Sequence, residues 1–314
     1  MKRRDFIVKF FLTSVACVTT VYSKVDLEIL NMKKSTFKYI YGNQILKNNF
    51  LLFLTNVFNL YPEHELHQLI TKVSDTSKDD KEIYLNVQKQ LDTISPVLAL
   101  LHYQLPALMH QKKEMSEQTV TLLGKGTTYS GYMELGSSGR YLDYLEEDVS
   151  IKGNRYYVDI EVPGYSLENM VDRGQINIGA DFIPLNAYKT DFSTIKSESL
   201  DLVCVYIGFH HIPFPLREEF ISNIRDTMRS GGKLILRDHD CYDEAQTKMV
   251  ALAHDVFNMG THETWEYNEN ELRNFYPLAF IQSFVEDIGF KLHKEVIYQD
   301  GDPTKNALMM FTKV

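Results

Sequence analysis

Tyr132-Met133-Glu134-Leu135-Gly136-Ser137-Ser138-Gly139-Arg140 decides the fold. A run of strand character gives way here to two glycines set three apart and then to a helical pattern. Glycines at such a bend let backbone amides come close to a bound ligand. In a dinucleotide enzyme the helix N-terminus behind the bend faces a pyrophosphate. Here the acid Glu134 stands just before the glycines, which suits a ligand carrying an ammonium or sulfonium group rather than a phosphate.

Downstream, short apolar runs alternate with helical segments, the pattern of a parallel sheet covered on both faces. Tyr132–Gly136 reads as the first strand, Tyr156–Asp159 as the second, Gln175–Ala180 as the third, Asp201–Tyr206 as the fourth and Lys233–Arg237 as the fifth. Leu216, Phe220, Ile224 and Met228 recur every four residues on the helix before the fifth strand, and Gly231-Gly232 is expected to end that helix. Phe290–Tyr298 and Ala307–Lys313 read as a closing hairpin around Asp300-Gly301-Asp302-Pro303. Asp159 then ends the second strand, where a carboxylate can accept both hydroxyl protons of a ribose, and Asp181 follows the third.

Upstream the pattern is helical from Lys24 to about Leu123, with Ile45, Phe50, Leu54, Val57 and Phe58 on one apolar face and Leu108, Met115 and Leu122 on another. Lys47, Asn48, Asn49 and Asn56 make residues 45–60 too polar for a membrane span, so a packed helix is expected. Asp75–Lys81 is a charged, turn-rich break between helices, and Pro96 and Pro106 punctuate the segment beyond it. Residues 1–23 carry a basic head (Lys2, Arg3, Arg4) and an apolar run, the grammar of an export signal or membrane anchor with a twin-arginine-like start; a plain helix is the alternative. The expected organisation is a signal-like segment at 1–23, a helical cap at 24–123 and a catalytic domain at 124–314.

A formal charge of −9 makes a poor generic nucleic-acid binder, because the phosphate-backbone contribution needs clustered Lys and Arg. Cys17, Cys204 and Cys241 cannot build a disulfide framework, and no Cys or His spacing points to a structural zinc site, so no metal is assigned.

Glu134–Gly139, Asp159, Asp181 with Pro184, Ser199–Val203 and Arg229–Leu236 together resemble class I S-adenosylmethionine-dependent methyltransferases over roughly residues 124–314. The resemblance implies an α/β, Rossmann-like seven-stranded sheet with a reversed last strand, and S-adenosyl-L-methionine as cofactor. It implies a cofactor site of Glu134, Gly136, Ser137, Gly139, Asp159 and Asp181, with the glycines beside the methionine part, Asp159 at the ribose and Asp181 at the adenine. A narrower likeness rests on Tyr206–Pro213, Leu236–Asp240 and Ala251–Asn258, which are similar to the methyltransferases of ovothiol biosynthesis. Those methylate an imidazole nitrogen of 5-mercaptohistidine.

Ligands of open α/β sheets gather at the carboxyl ends of the strands. His210, His211, Asp238 and His239 are therefore the candidate catalytic groups, able to hold an acceptor's tautomer or take up a proton. Arg237 or Arg140 would meet a substrate carboxylate and Asp238 or Asp240 its ammonium, and His254 and Asn258, one helical turn apart, would line the same pocket. Trp265 is expected to shield it, and Tyr141 either covers the cofactor or belongs to the core. The expected partner is a small molecule, not nucleic acid, with membrane or export contact only through residues 1–23; catalysis implies the cytoplasm, whereas the leader implies export. Two alternatives stand beside this reading: a methyltransferase for another metabolite, and a non-catalytic binding protein of the same fold.

Overall fold

Strands β1 (Thr128–Leu135), β2 (Ser150–Asp159), β3 (Asp181–Pro184), β4 (Leu200–Val205), β5 (Met228–His239), β6 (Phe290–Tyr298) and β7 (Asn306–Lys313) join one sheet in the order β3-β2-β1-β4-β5-β7-β6. The structure is a computed structural model and describes residues 36–95, 103, 105–137, 139–160, 162–166, 170, 179–206 and 208–314. The first five strands pair in parallel, whereas β7 runs antiparallel to both β5 and β6. A turn as short as Gln299–Lys305 allows no crossover, so β6 and β7 must be antiparallel. The chain leaves β1 for β2 on one side and returns to β4 on the other. That reversal opens a crevice beyond the carboxyl ends of the central strands. Leu135 stands in register with both Val158 and Val205, so the three strand ends lie level around it.

The helices are α1 (Thr36–Tyr41), α2 (Gln44–Phe53), α3 (Glu63–Thr76), α4 (Asp80–Gln88), α5 (Leu91–Ile94), α6 (Leu105–Leu123), α7 (Leu142–Leu145), α8 (Arg217–Thr227), α9 (Glu244–Gly260), α10 (Trp265–Asn270) and α11 (Leu278–Asp287). The charged stretch at 75–81 does separate two helices, and Asp79 caps α4 by accepting from the Glu82 amide. Pro106 sits in the first turn of α6, where its missing N–H costs nothing. Phe50, Leu54 and Phe58 are buried as expected, but Ile45 is 72% exposed, so that apolar face begins one turn later. The helical residues from Phe37 to Leu91 share one core with Met249, Leu252, Val256 and Met259 of α9. The cap region is thus built onto a helix of the sheet layer, and residues 35–314 form one compact unit.

Two expectations change. The third strand is Asp181–Pro184 rather than 175–180, of which 175–178 lie outside the described residues. Helix α8 stops at Thr227, Met228 already belongs to β5, and Gly231-Gly232 lie inside that strand, where the β4–β5 register shifts. The glycine pair forms an irregularity of the strand instead of a helix stop. The leader at 1–23 and Pro96 fall outside the described residues. Among the described residues no helix is long and apolar enough to cross a membrane.

Candidate functional site

The glycine bend is held from beneath. Glu134 is fully buried and accepts from the Tyr132 hydroxyl at 2.7 Å and the Ser137 hydroxyl at 2.5 Å. Burial raises its pKa, and those two hydroxyls work against the rise. Through these internal bonds Glu134 and Ser137 hold the loop in place. The Gly136 amide donates to the Val158 carbonyl at 2.8 Å, tying the bend to β2 one residue before Asp159. Gly139 has φ of 79°, and a Cβ there would lie 2.1 Å from Cζ of Tyr157. Its smallness is demanded by that ring, whatever a ligand needs. Gly139→Ala should cost at least about 2 kcal/mol from strain and overpacking. Chemical denaturation measures this, and a cost within error of zero would show that the ring moves freely. Tyr141 belongs to the core, its ring 4.6 Å from that of Tyr206.

Asp159 ends β2 half-buried and accepts from the Ile160 amide at 2.7 Å. Asp181 does not join it. It opens β3 opposite Tyr156, three residues and about 10 Å back along the strand from the crevice. At the carboxyl end of β3 stand Leu185, whose amide donates to the Asp159 carbonyl at 2.7 Å, and then Asn186. Tyr188 follows with a left-handed φ of 64°. Burial raises the pKa of its hydroxyl, and the Glu271 and Asp159 carboxylates add to the rise. Neither Asn186 nor Tyr188 carried a sequence signal.

Beyond β4 and β5 the crevice is lined by imidazoles. Gly208, with φ of 83°, leaves room for the His210 ring, since a Cβ there would lie 2.7 Å from His210 Cε1. Fully buried Arg217 pins the loop by donating from Nε to the Ile212 carbonyl at 3.0 Å, its guanidinium lying over the Phe209 and Tyr276 rings. Asp238, fully buried, accepts from the His210 amide at 2.8 Å and the His239 amide at 2.6 Å, and His210 Nδ1 lies 2.7 Å from it. Asp238 thus orients His210 and is itself out of reach of substrate. His211 Nδ1 is 3.0 Å from the Leu272 carbonyl oxygen and His239 Nδ1 is 3.1 Å from that of Thr304. His254 Nδ1 is 4.0 Å from Glu271. The His210 ring lies within 5.6 Å of those of His211, His239 and His254, centre to centre. Burial is the main force on all four: it pushes His210, His211 and His239 down to about 3, and His254 well below its ordinary value. Neutral rings result.

The remaining candidates are occupied structurally. Arg237 donates from Nε to Asn306 at 3.0 Å, on the β7 side. Asp240 accepts from the Leu278 amide, capping α11, and from the Tyr298 hydroxyl. Asn258 donates to Asn268 and Glu271, and Trp265 packs on Tyr84 in the helical core rather than shielding the crevice. Glu271 and Arg273, absent from the sequence reading, organise this side: Arg273 bridges Asp255 and Glu271, each at 2.7 Å. They lie in a loop whose sequence has neither periodicity nor motif.

No protein-family model matches the chain, and no curated protein matches it. Among solved structures, the chain is similar to a SAM-dependent methyltransferase from Aquifex aeolicus at 14% identity, covering 72% of this chain and 98% of that one with a TM-score of 0.42. It is also similar to 1,6-didemethyltoxoflavin-N1-methyltransferase from Burkholderia thailandensis, solved with 1,6-didemethyltoxoflavin and S-adenosylhomocysteine bound, at 13% identity, 66% and 79% coverage, and a TM-score of 0.43.

Proposed function

We propose that the chain is an S-adenosylmethionine-dependent methyltransferase for a small molecule and, more finely, that the acceptor is an imidazole nitrogen of a thiol-bearing histidine such as 5-mercaptohistidine. The observation that supports the coarser reading is the sheet order with its reversed β7, combined with a glycine bend and Asp159 at the adjoining ends of β1 and β2. Asp159 would accept from the ribose hydroxyls, the loop after Gly136 would lie against the methionine part, and Asn186 would take the adenine role expected of Asp181. Four imidazoles beside this crevice support the finer reading, since uncharged rings offer an aromatic acceptor neutral hydrogen-bond partners.

The cofactor supplies a methyl group on a sulfonium, and displacement is in line, so the chain mainly aligns donor and acceptor. His239, its Nδ1–H held by the Thr304 carbonyl, presents Nε2 as an acceptor. It can receive the N–H of the substrate ring and leave the opposite nitrogen's lone pair facing the methyl group. An imidazole with its pKa at about 3 is unprotonated throughout the working range, which suits holding a tautomer better than storing a proton.

Incubation with isotope-labelled cofactor and a panel of thiol-imidazoles should yield a product heavier by one methyl group, read by mass spectrometry. Asp159→Ala should weaken S-adenosylmethionine binding about 10- to 100-fold in calorimetry, the loss of a charged hydrogen-bond acceptor. Absence of cofactor binding by the intact chain would end the reading; binding without methylation of any thiol-imidazole would end its finer part.

A further inference from the structure

Holding one tautomer requires one imidazole, and the crevice has three more. His210, His211 and His254 each bring one ring nitrogen within 4.8 Å of the other two. We propose that these three side chains bind a divalent first-row transition ion, Zn2+ foremost, leaving a fourth position for an exchangeable water.

The tautomers favour this. A carbonyl oxygen only accepts, so His211 Nδ1, 3.0 Å from that of Leu272, carries the proton and Nε2 keeps its lone pair. His210 Nδ1 faces the Asp238 carboxylate at 2.7 Å with the same result, and His254 Nδ1 faces Glu271 at 4.0 Å. His210 and His211 are thus backed by a carboxylate or a carbonyl on Nδ1, which leaves Nε2 with its lone pair, and the Glu271 carboxylate lies near His254. Metal-binding histidines are oriented in this way, the partner fixing the ring and raising its basicity.

A second observation concerns His210 alone. Its ring is 3% exposed, and its Nε2 has no hydrogen-bond partner among the described residues. A buried lone pair without a donor is costly unless something electrophilic meets it. A metal ion needs the neutral ring, and Asp238 and Glu271 supply two negative charges behind the ligands. An all-nitrogen set of three imidazoles suits zinc, copper, nickel or iron, and three histidines with an open fourth position suit zinc in particular. Metal–nitrogen bonds of about 2.0–2.1 Å in a tetrahedral site place the nitrogens roughly 3.4 Å apart. Small rotations of His211 and His254, both only partly buried, close the remaining gap. Positions 210, 211 and 254 follow no metal-ligand spacing along the chain, so the site exists only in the folded chain.

The test uses the full chain stripped with a chelator and without S-adenosylmethionine, so it is independent of the methyltransferase reading. Co2+ should bind at one equivalent with the visible bands of a four-coordinate nitrogen site, and Zn2+ should displace it and raise the melting temperature. X-ray absorption at the zinc edge should show about three imidazole nitrogens near 2.0–2.1 Å. The pair His211→Gln and His254→Gln should abolish stoichiometric binding. Should that variant not fold, the absorption spectrum of the unsubstituted chain decides. Failure of the intact chain to bind at one equivalent, binding retained by the folded double variant, or a shell of oxygen or sulfur atoms would each overturn the proposal.

Discussion

Replacing Asp238 by Ala is expected to cost about 3 kcal/mol of folding stability, because it strands three N–H donors at once. The His210 amide, His210 Nδ1 and the His239 amide all turn to this carboxylate, which is fully buried. Burial pushes its pKa up, while the two backbone amides favour the ionised form. The local consequence arises from the same bonds: without the acceptor, His210 loses the force that fixes its tautomer, and Nε2 is no longer the bare nitrogen. Asp238→Asn keeps the volume but turns an NH2 group toward one of the donors, so it should recover packing and not the tautomer. Urea denaturation of both variants gives the stability change, and nitrogen-15 NMR of the histidine rings gives the tautomer. Asp238→Ala within about 0.5 kcal/mol of the unsubstituted chain, or His210 keeping its tautomer in both variants, would refute the assigned role.

Acidification should destabilise the chelator-treated protein before its carboxylates begin to titrate. His210, His211 and His239 are lowered from 6.5 to about 3, and His67 to about 4, chiefly by burial. For a group depressed on folding, stability is complete above the unfolded pKa and is lost as pH falls toward the folded one, since the unfolded chain takes up protons first. Between pH 6.5 and about pH 4.5 one such ring removes about 2 kcal/mol, and several rings share the effect. Glu134, Asp238 and Asp302 oppose the trend, because burial raises them and acid favours their folded form. The imidazoles outnumber them and begin to titrate at higher pH. A drop of at least about 6 °C in melting temperature over this range is expected by calorimetry. A flat or rising profile would mean that the rings are charged or solvated in the folded state. Bound metal would leave the sign unchanged, since protons compete for the same nitrogens.

The strand pattern, the closing hairpin and the glycine bend were legible from residue order because each depends on local periodicity and turn chemistry. Phe290–Tyr298 and the turn at 300–303 stand where the pattern puts them, and β7 begins one residue earlier. Asp181 was misplaced because a short strand between poorly patterned segments offers no edge to count from, and a shift of a few residues moves an acid from one end of the sheet to the other. Glu134 stands out in the sequence, but not the inward direction of its carboxylate, since Tyr132 and Ser137 beside it are equally plausible as surface groups. Arg237 and Asp240 look like substrate groups in sequence. Their partners, Asn306, Leu278 and Tyr298, come from segments 38 to 69 residues away.

By itself, the sequence determined that residues 124–314 make an alternating sheet with a reversed end, and that glycines and acids collect at its strand termini. Only tertiary structure decided which of those polar groups face one another. His210, His211, His254 and Glu271 meet because β4, α9 and the loop after α10 converge on the same crevice, while Asp238 is sealed beneath them. Periodicity along a chain reports which face of an element is apolar; it carries nothing about which two distant polar faces become neighbours, and burial among those neighbours is what sets their protonation and their chemistry.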